Sequence, residues 1–328
     1  MKILKKLLCL TLSFGIMLGT VGCTYQGKTV YFDLGCGRNT VFKIGDMKCS
    51  KSEALVYLLN AKNIYGVVDD TNLWSEDFNT DVINTSLKDL VLEHLTRVYV
   101  LNLYAMENEI TLTDSEKEKC AEAAEVYYSS LNSTEISFTG TSEKEIEKMY
   151  EDYALASKVY TDLMNSVDDE VSEDEARVME AYVLFVETAS EAAEIQDMID
   201  YGYTFERLAA TYTKLDTYDV TFARGDYCDE IDEVVFNLDT DEVSGAIEAD
   251  GGYYFFQCLD KYIEDLSEEN KTVIIKARQA QALEDITNSF TDEYFSDMNT
   301  TLWDSIEIPE DATDLTSGSF YETLSQYL

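Results

Sequence analysis

The chain has 328 residues, with 65 Asp or Glu against 24 Lys or Arg and a formal charge of −41. So acidic a surface cannot replace the counterions around phosphate, which excludes sequence-independent nucleic-acid binding. With 45% apolar residues, 12% aromatics and one proline, the chain is not a disordered acidic tail, and it is long enough for two domains with cores of their own.

The first 22 residues read as an export signal. Lys2, Lys5 and Lys6 precede an apolar run from Leu7 to Leu18, and small residues then lead to Cys23. A basic start, a short apolar stretch and a small-residue exit make a secretory signal peptide over 1–22. The run is too short to cross a bilayer comfortably. Thr20-Val21-Gly22-Cys23 sets Gly immediately before Cys, as in bacterial lipoprotein signals, although Thr20 stands where those signals usually carry Leu. Cleavage there would leave Cys23 as the N-terminus, ready to carry several acyl chains, and more than one chain is what stable anchoring requires. The expected location is the extracytoplasmic face of the cell membrane. The tether must do the holding, because an acidic body is repelled by anionic headgroups.

Residues 23–48, rich in Gly and small polar residues up to Thr40, read as the lipidated tether or a first strand. From 49 to 170 nearly everything reads helical. Ser52 caps a first helix. Leu87, Leu90, Val91, Leu95, Val98 and Leu101 give an amphipathic stripe from Ser86 to Glu107. Thr113-Asp114-Ser115-Glu116 opens a third helix with a capping box, running to about Leu131. Ile146, Met149, Tyr153, Leu155 and Val159 mark a fourth over Ser142–Met164. Long helices with short links imply a bundle.

The character changes at 171 and stays changed to 263. Ala181–Val186 is a strand-length apolar run. Ser190–Tyr201 is a helix stopped by Gly202, and Phe205–Tyr212 is another. After the Gly225-Asp226 turn come Val234–Phe236, Val243–Ala246 and a β-run, Tyr253–Leu259. The order β-α-α-turn-α-β-β describes a compact α+β domain. A long helix then resumes to about Met298 within a segment spanning 264–310, followed by a polar tail over 311–328.

Beyond Cys9 and Cys23 the cysteines are Cys36, Cys49, Cys120, Cys228 and Cys258. An exported chain can keep disulfides; Cys36–Cys49 and Cys228–Cys258 are candidate pairs, with unpaired buried thiols as the alternative. The spacings match no metal motif, and the single histidine, His94, has no partner. No metal, no cofactor and no Ser-His triad is expected.

The stretch from Val178 to Tyr262 resembles a parvulin, a peptidyl-prolyl isomerase domain. The resemblance rests on Ala181–Val186, Gly202-x-x-Phe205-x-x-Leu208-Ala209, Arg224-Gly225-Asp226, Val235-Phe236-x-Leu238, Glu242-Val243-Ser244 and Gly252-Tyr253-Tyr254-Phe255-Phe256. Together with the flanking helices and Trp303, the chain is similar to the PrsA and SurA foldases. That likeness implies a helical chaperone domain built from both ends of the chain around an inserted parvulin-like domain. The family's two histidines fall on Tyr182 and Tyr254, and its Cys or Asp position lies nearest Leu215 or Asp216. The proline pocket falls on Tyr227, Ile231 and Phe236, in a segment shortened to seven residues between Asp226 and Val234.

Prolyl isomerisation breaks no covalent bond; its barrier is the twisting of a partly double C–N bond. Catalysis needs an apolar clasp and a polar surround that favours the twisted amide. Two tyrosines could donate hydrogen bonds there, or simply fill the pocket as strand aromatics. Three functions stay open: a folding factor binding unfolded secreted polypeptides through groove aromatics such as Tyr57, Tyr65, Trp74, Tyr127 and Tyr128, an active isomerase, or an adaptor lipoprotein with one dedicated partner. A homodimer is allowed.

Overall fold

A computed structural model describes residues 37–65, 67–68, 71–72, 80–293, 296–308 and 313–328. The fold is α+β. The chain divides into two compact units, one taking the residues up to Ser166 and from Ala280 onward, the other Val167–Gln279.

The first unit opens with a hairpin that the sequence reading left inside the tether: β1 (Thr40–Ile44) and β2 (Met47–Ser50), with Ile44 opposite Met47. Gly45 makes the two-residue turn possible, because only its φ, +57°, is positive, as a type II′ turn demands. Helix α1 (Lys51–Tyr65) follows, buried continuously from Glu53 to Lys62. A helix buried all round belongs inside a core rather than on its rim. Strands β3 (Val67–Val68) and β4 (Thr71–Asn72) form a short antiparallel pair.

Then come α2 (Thr80–Glu107) and α3 (Asp114–Ser130). Next is α4 (Ser133–Thr139), a helix the periodicity did not reveal, and then α5 (Glu143–Ser166). Helix α3 begins as its sequence predicts. The Glu116 amide donates to Thr113 Oγ1 at 3.2 Å, and the Thr113 amide donates to Glu116 Oε2 at 2.6 Å. The α5 stripe Ile146, Met149, Tyr150, Ala154 and Val159 is buried.

The second unit begins with one turn, α6 (Glu173–Ala176), and a nine-residue strand, β5 (Val178–Val186). Helices α7 (Ala189–Asp200) and α8 (Phe205–Tyr212) follow, then β6 (Asp219–Ala223), α9 (Asp229–Val235), β7 (Ile247–Ala249) and β8 (Gly252–Asp260). The sheet is antiparallel throughout, in the order β6-β5-β8-β7. Two details differ from the sequence reading. Strand β6 was not expected, and 243–246 is no strand: Val243 makes only an isolated bridge to Gln257, with β7 beginning at Ile247.

Helix α10 (Glu264–Glu293) ends before Met298, which belongs instead to β9 (Ser296–Met298). Strand β9 pairs with β1, giving the order β2-β1-β9. Short helices α11 (Thr300–Asp304) and α12 (Phe320–Ser325) complete the chain.

The expectation of a polar tail is corrected here. Leu315, Phe320 and Leu324 are buried in the helical core. Phe320, 0% exposed, packs against Tyr150, Tyr57 and Tyr127 with ring centroids 4.5, 5.2 and 5.3 Å away. Polar residues of the bundle receive the backbone between these anchors. Glu135 Oε1 accepts the amides of Thr316 and Ser317, both at 2.7 Å. Lys62 donates to the Leu315 carbonyl at 3.1 Å, and Asn60 Oδ1 accepts the Phe320 amide at 3.1 Å. The segment reads as polar because only every fourth or fifth residue is a buried anchor; its remaining hydrogen-bonding groups are met by the bundle.

Candidate functional site

The site expected from the sequence is organised by the pleat of the inserted sheet. Side chains alternate between faces along a strand, and the β5–β8 register sets Tyr182 opposite Gln257 and Phe185 opposite Tyr254. Met179, Ala181 and Val183 of β5 and Phe256 and Cys258 of β8 share one face, packed with Ile231, Val235 and Phe236. Leu184, Val186 and Phe255 share the other, packed with Ala192, Ile195, Phe205 and Leu208 from α7 and α8. Tyr254 belongs to the first face and Tyr182 to the second, where its ring lies 5.6 Å from that of Tyr218. The two residues at the family's histidine positions are therefore separated by the sheet.

On the α9 face, Tyr254 sits in a row of aromatic rings. Phe185 lies 4.7 Å away and Tyr227 6.3 Å. Tyr227 in turn meets Phe222 at 5.1 Å and Phe256 at 5.4 Å, both edge-on, the arrangement that the ring quadrupoles prefer. Of the other pocket positions, Ile231 is 0% and Phe236 2% exposed. Arg224 covers the Phe236 ring at 4.5 Å. Asp216 is exposed in the loop between α8 and β6. The loop before α9 is held by carboxylates: Asp226 Oδ2 accepts the Ala223 amide at 2.8 Å and Asp232 Oδ2 the Gly225 amide at 2.7 Å.

A close approach fixes one end of this row. A Cβ on Gly252 would lie 2.2 Å from the Phe185 ring and 2.6 Å from the Val186 carbonyl oxygen. Only bare backbone fits, and the Phe185 ring covers it.

Burial, with Asp250 adding to it, raises the Tyr254 hydroxyl above its ordinary value, and burial likewise raises Tyr227. Burial first, then Glu206 and Asp219, raises Tyr182. All three stay neutral O–H groups at physiological pH, able to donate but not to act as bases. The α9 face therefore carries ring faces and two neutral donors, Tyr227 and Tyr254, with Tyr182 on the other side of the sheet. Among the described residues no cluster of His, Cys, Asp and Glu could hold a metal ion. No described helix is long and apolar enough to cross a membrane.

Cys49, Cys120, Cys228 and Cys258 are free thiols. The Cys228–Cys258 pairing is thus corrected: Cys258 points from β8 into the core, and Cys228 is the half-buried residue before α9. Cys23, Cys36 and Trp74 lie outside the described residues. Of the candidate groove aromatics, Tyr57 and Tyr127 are core residues and Tyr128 is half-buried, while Tyr65 is 39% exposed.

Two signals in the sequence bear on this sheet. Asp250-Gly251, with φ of +47° and +80° between the paired residues Ala249 and Gly252, is a type I′ hairpin turn; it would have located β7. The period of two along β5 would also have set Tyr182 and Phe185 on opposite faces of the sheet.

A helical unit made by both ends of the chain and an inserted antiparallel α+β unit define the class to which relatives can be compared. No family model matches the chain. In sequence the chain is similar to PrsA-type foldases. It is 29% identical over 119 residues to the foldase protein PrsA of Halalkalibacterium halodurans, a match covering 33% of this chain and 36% of that protein. The chain thus spans about a third of the length of the curated relative it matches. Among solved structures, the peptidylprolyl isomerase PrsA of Bacillus cereus aligns over 81% of this chain and 99% of its own, at 16% identity and TM-score 0.40. A SurA-like chaperone of Campylobacter jejuni aligns over 79% and 98%, at 8% identity and TM-score 0.28.

Proposed function

We propose that this chain is an extracytoplasmic folding factor that binds unfolded secreted polypeptides, tethered to the membrane by lipid on Cys23, and that its inserted parvulin-like unit does not catalyse prolyl isomerisation. The similarity to a PrsA foldase supports the first part. The second part is carried by one observation: Tyr182 and Tyr254 occupy opposite faces of the sheet. A catalyst needs its donors converging on one twisted amide. A second feature points the same way, since Ile231 and Phe236 are closed into the core rather than lining a clasp.

The test is cis–trans exchange of a panel of X-Pro peptides, followed by NMR with the chain lacking residues 1–23. The expected result is no acceleration where an active parvulin accelerates exchange, together with suppressed aggregation of a reduced, unfolded secreted protein. Acceleration that disappears in Tyr254→Ala would make the chain an enzyme. Failure to suppress aggregation would remove the folding-factor reading.

A further inference from the structure

The face of the inserted sheet opposite Tyr254 carries a feature that the proposed function does not use. Helix α7 ends in a Schellman motif: the Gly202 amide donates to the Ile199 carbonyl at 2.9 Å and the Tyr203 amide to that of Met198 at 3.1 Å. Gly202 supplies the left-handed residue, with φ +86°. This reversal sets two tyrosines side by side at the helix end, Tyr201 86% and Tyr203 56% exposed. They border a shallow, solvent-open pocket of about 660 Å3 whose remaining lining is Glu194, Asp197 and Met198.

The lining has a definite chemistry. Glu194, Asp197, Met198 and Tyr201 recur at i, i+3, i+4 and i+7, so one helical face presents them all. Among the described residues neither Glu194 nor Asp197 is paired with a Lys or Arg. The Schellman motif accounts for a Met198–Tyr203 contact, but not for a second, almost fully exposed tyrosine one turn beyond two carboxylates that pair with no Lys or Arg.

The geometry points to a docking cleft for a cationic, amphipathic polypeptide segment, in which Lys or Arg side chains lie over the Tyr201 and Tyr203 faces and reach Glu194 and Asp197. Ring faces attract ammonium and guanidinium groups. The apolar stems of those side chains would pack on Met198 and the ring edges. Charge complementarity selects this occupant, since no basic residue lines the cleft and the chain as a whole carries −41. The inference rests on the reading of the chain as a binder of other polypeptides, and it names the client feature recognised.

The test uses the chain lacking residues 1–23 and a fluorescent peptide of alternating lysine and leucine, with a glutamate–leucine peptide as counterpart. The lysine peptide should bind and the glutamate peptide should not. Tyr201→Ser/Tyr203→Ser and Glu194→Gln/Asp197→Asn should each weaken binding about tenfold. Glu118→Gln/Glu122→Gln removes the same charge from the exposed face of α3 and should leave affinity within about twofold. All four tested carboxylates and both tyrosines lie outside the cores, so thermal melts should not move in the carboxylate variants and should fall only slightly in the tyrosine variant, which loses the Met198–Tyr203 contact. Equal weakening by the α3 control reduces the effect to bulk charge and overturns the cleft, as does unchanged affinity in both cleft variants. An unfolded neutral client separates the two readings. If it binds while the lysine peptide does not, only the cleft falls; if neither binds, the folding-factor reading falls with it.

Discussion

Glu53 is a buried carboxyl with consequences for stability. Its Oε2 accepts the Tyr99 hydroxyl at 2.8 Å, and burial raises its pKa to about 7. The folded state thus favours the protonated form more than the unfolded chain does. Stability is therefore fully present below the ordinary glutamate range and falls as pH climbs from about 4.5 to about 7, by roughly 3 kcal/mol. His94 slopes the other way: burial lowers it to about 4, so its contribution is lost as pH falls below its ordinary value. Glu53→Gln keeps an acceptor for Tyr99 and removes the charge. Its stability relative to the parent should be near zero change below about pH 4 and rise to roughly 3 kcal/mol of stabilisation near neutrality. Denaturant melts at several pH values measure this, and a flat difference would show that Glu53 is ionised in the fold. None of this was legible beforehand. An acid three residues into a helix normally serves the dipole at the surface, and only the burial of α1 on all sides makes this one costly.

Elements were legible where a local interaction specifies them. The Thr113–Glu116 capping box fixed the start of α3 from four residues, because both of its hydrogen bonds are local. Strand β6 was missed since Asp-Val-Thr-Phe-Ala buries only Phe222 fully and alternates too weakly to announce itself. Helix α12 was missed because its meaning is entirely tertiary. Phe320 completes an aromatic nest formed by Tyr57, Tyr127 and Tyr150, which come from three earlier helices. Phe320→Ala should therefore cost about 3–5 kcal/mol, read as a shift in the denaturant midpoint at constant slope. A loss under 1 kcal/mol would mean that the segment lies on the bundle without holding it together. The candidate site divides along the same line. Its residues could be placed on strands from the sequence, but which face each one takes depends on register, which no single strand carries.

For the molecule as a whole, the two units differ in how they use the chain. Residues 167–279 are continuous, with a complete four-stranded sheet, and Ser267 and Asn270 tie the start of α10 to Val178 and Ala176. Produced alone, this piece should unfold in one cooperative transition with near-native secondary structure by circular dichroism. A chain ending at residue 308 should keep that transition while the helical unit loses its own. Retention of both transitions would show that the C-terminal segment is dispensable.

The interleaving of β9 and α12 with the first helices also sets an order of events. As the chain emerges, the inserted unit has every residue it needs before the helical unit has received its last ones. Until then Phe42 lacks its β9 neighbour, and the tyrosine nest stands open where Phe320 will close it. Closing so distant a contact is slow compared with forming local helices. The helical unit therefore spends its early life as an unsealed assembly with apolar surface in water, the state in which aggregation competes with folding.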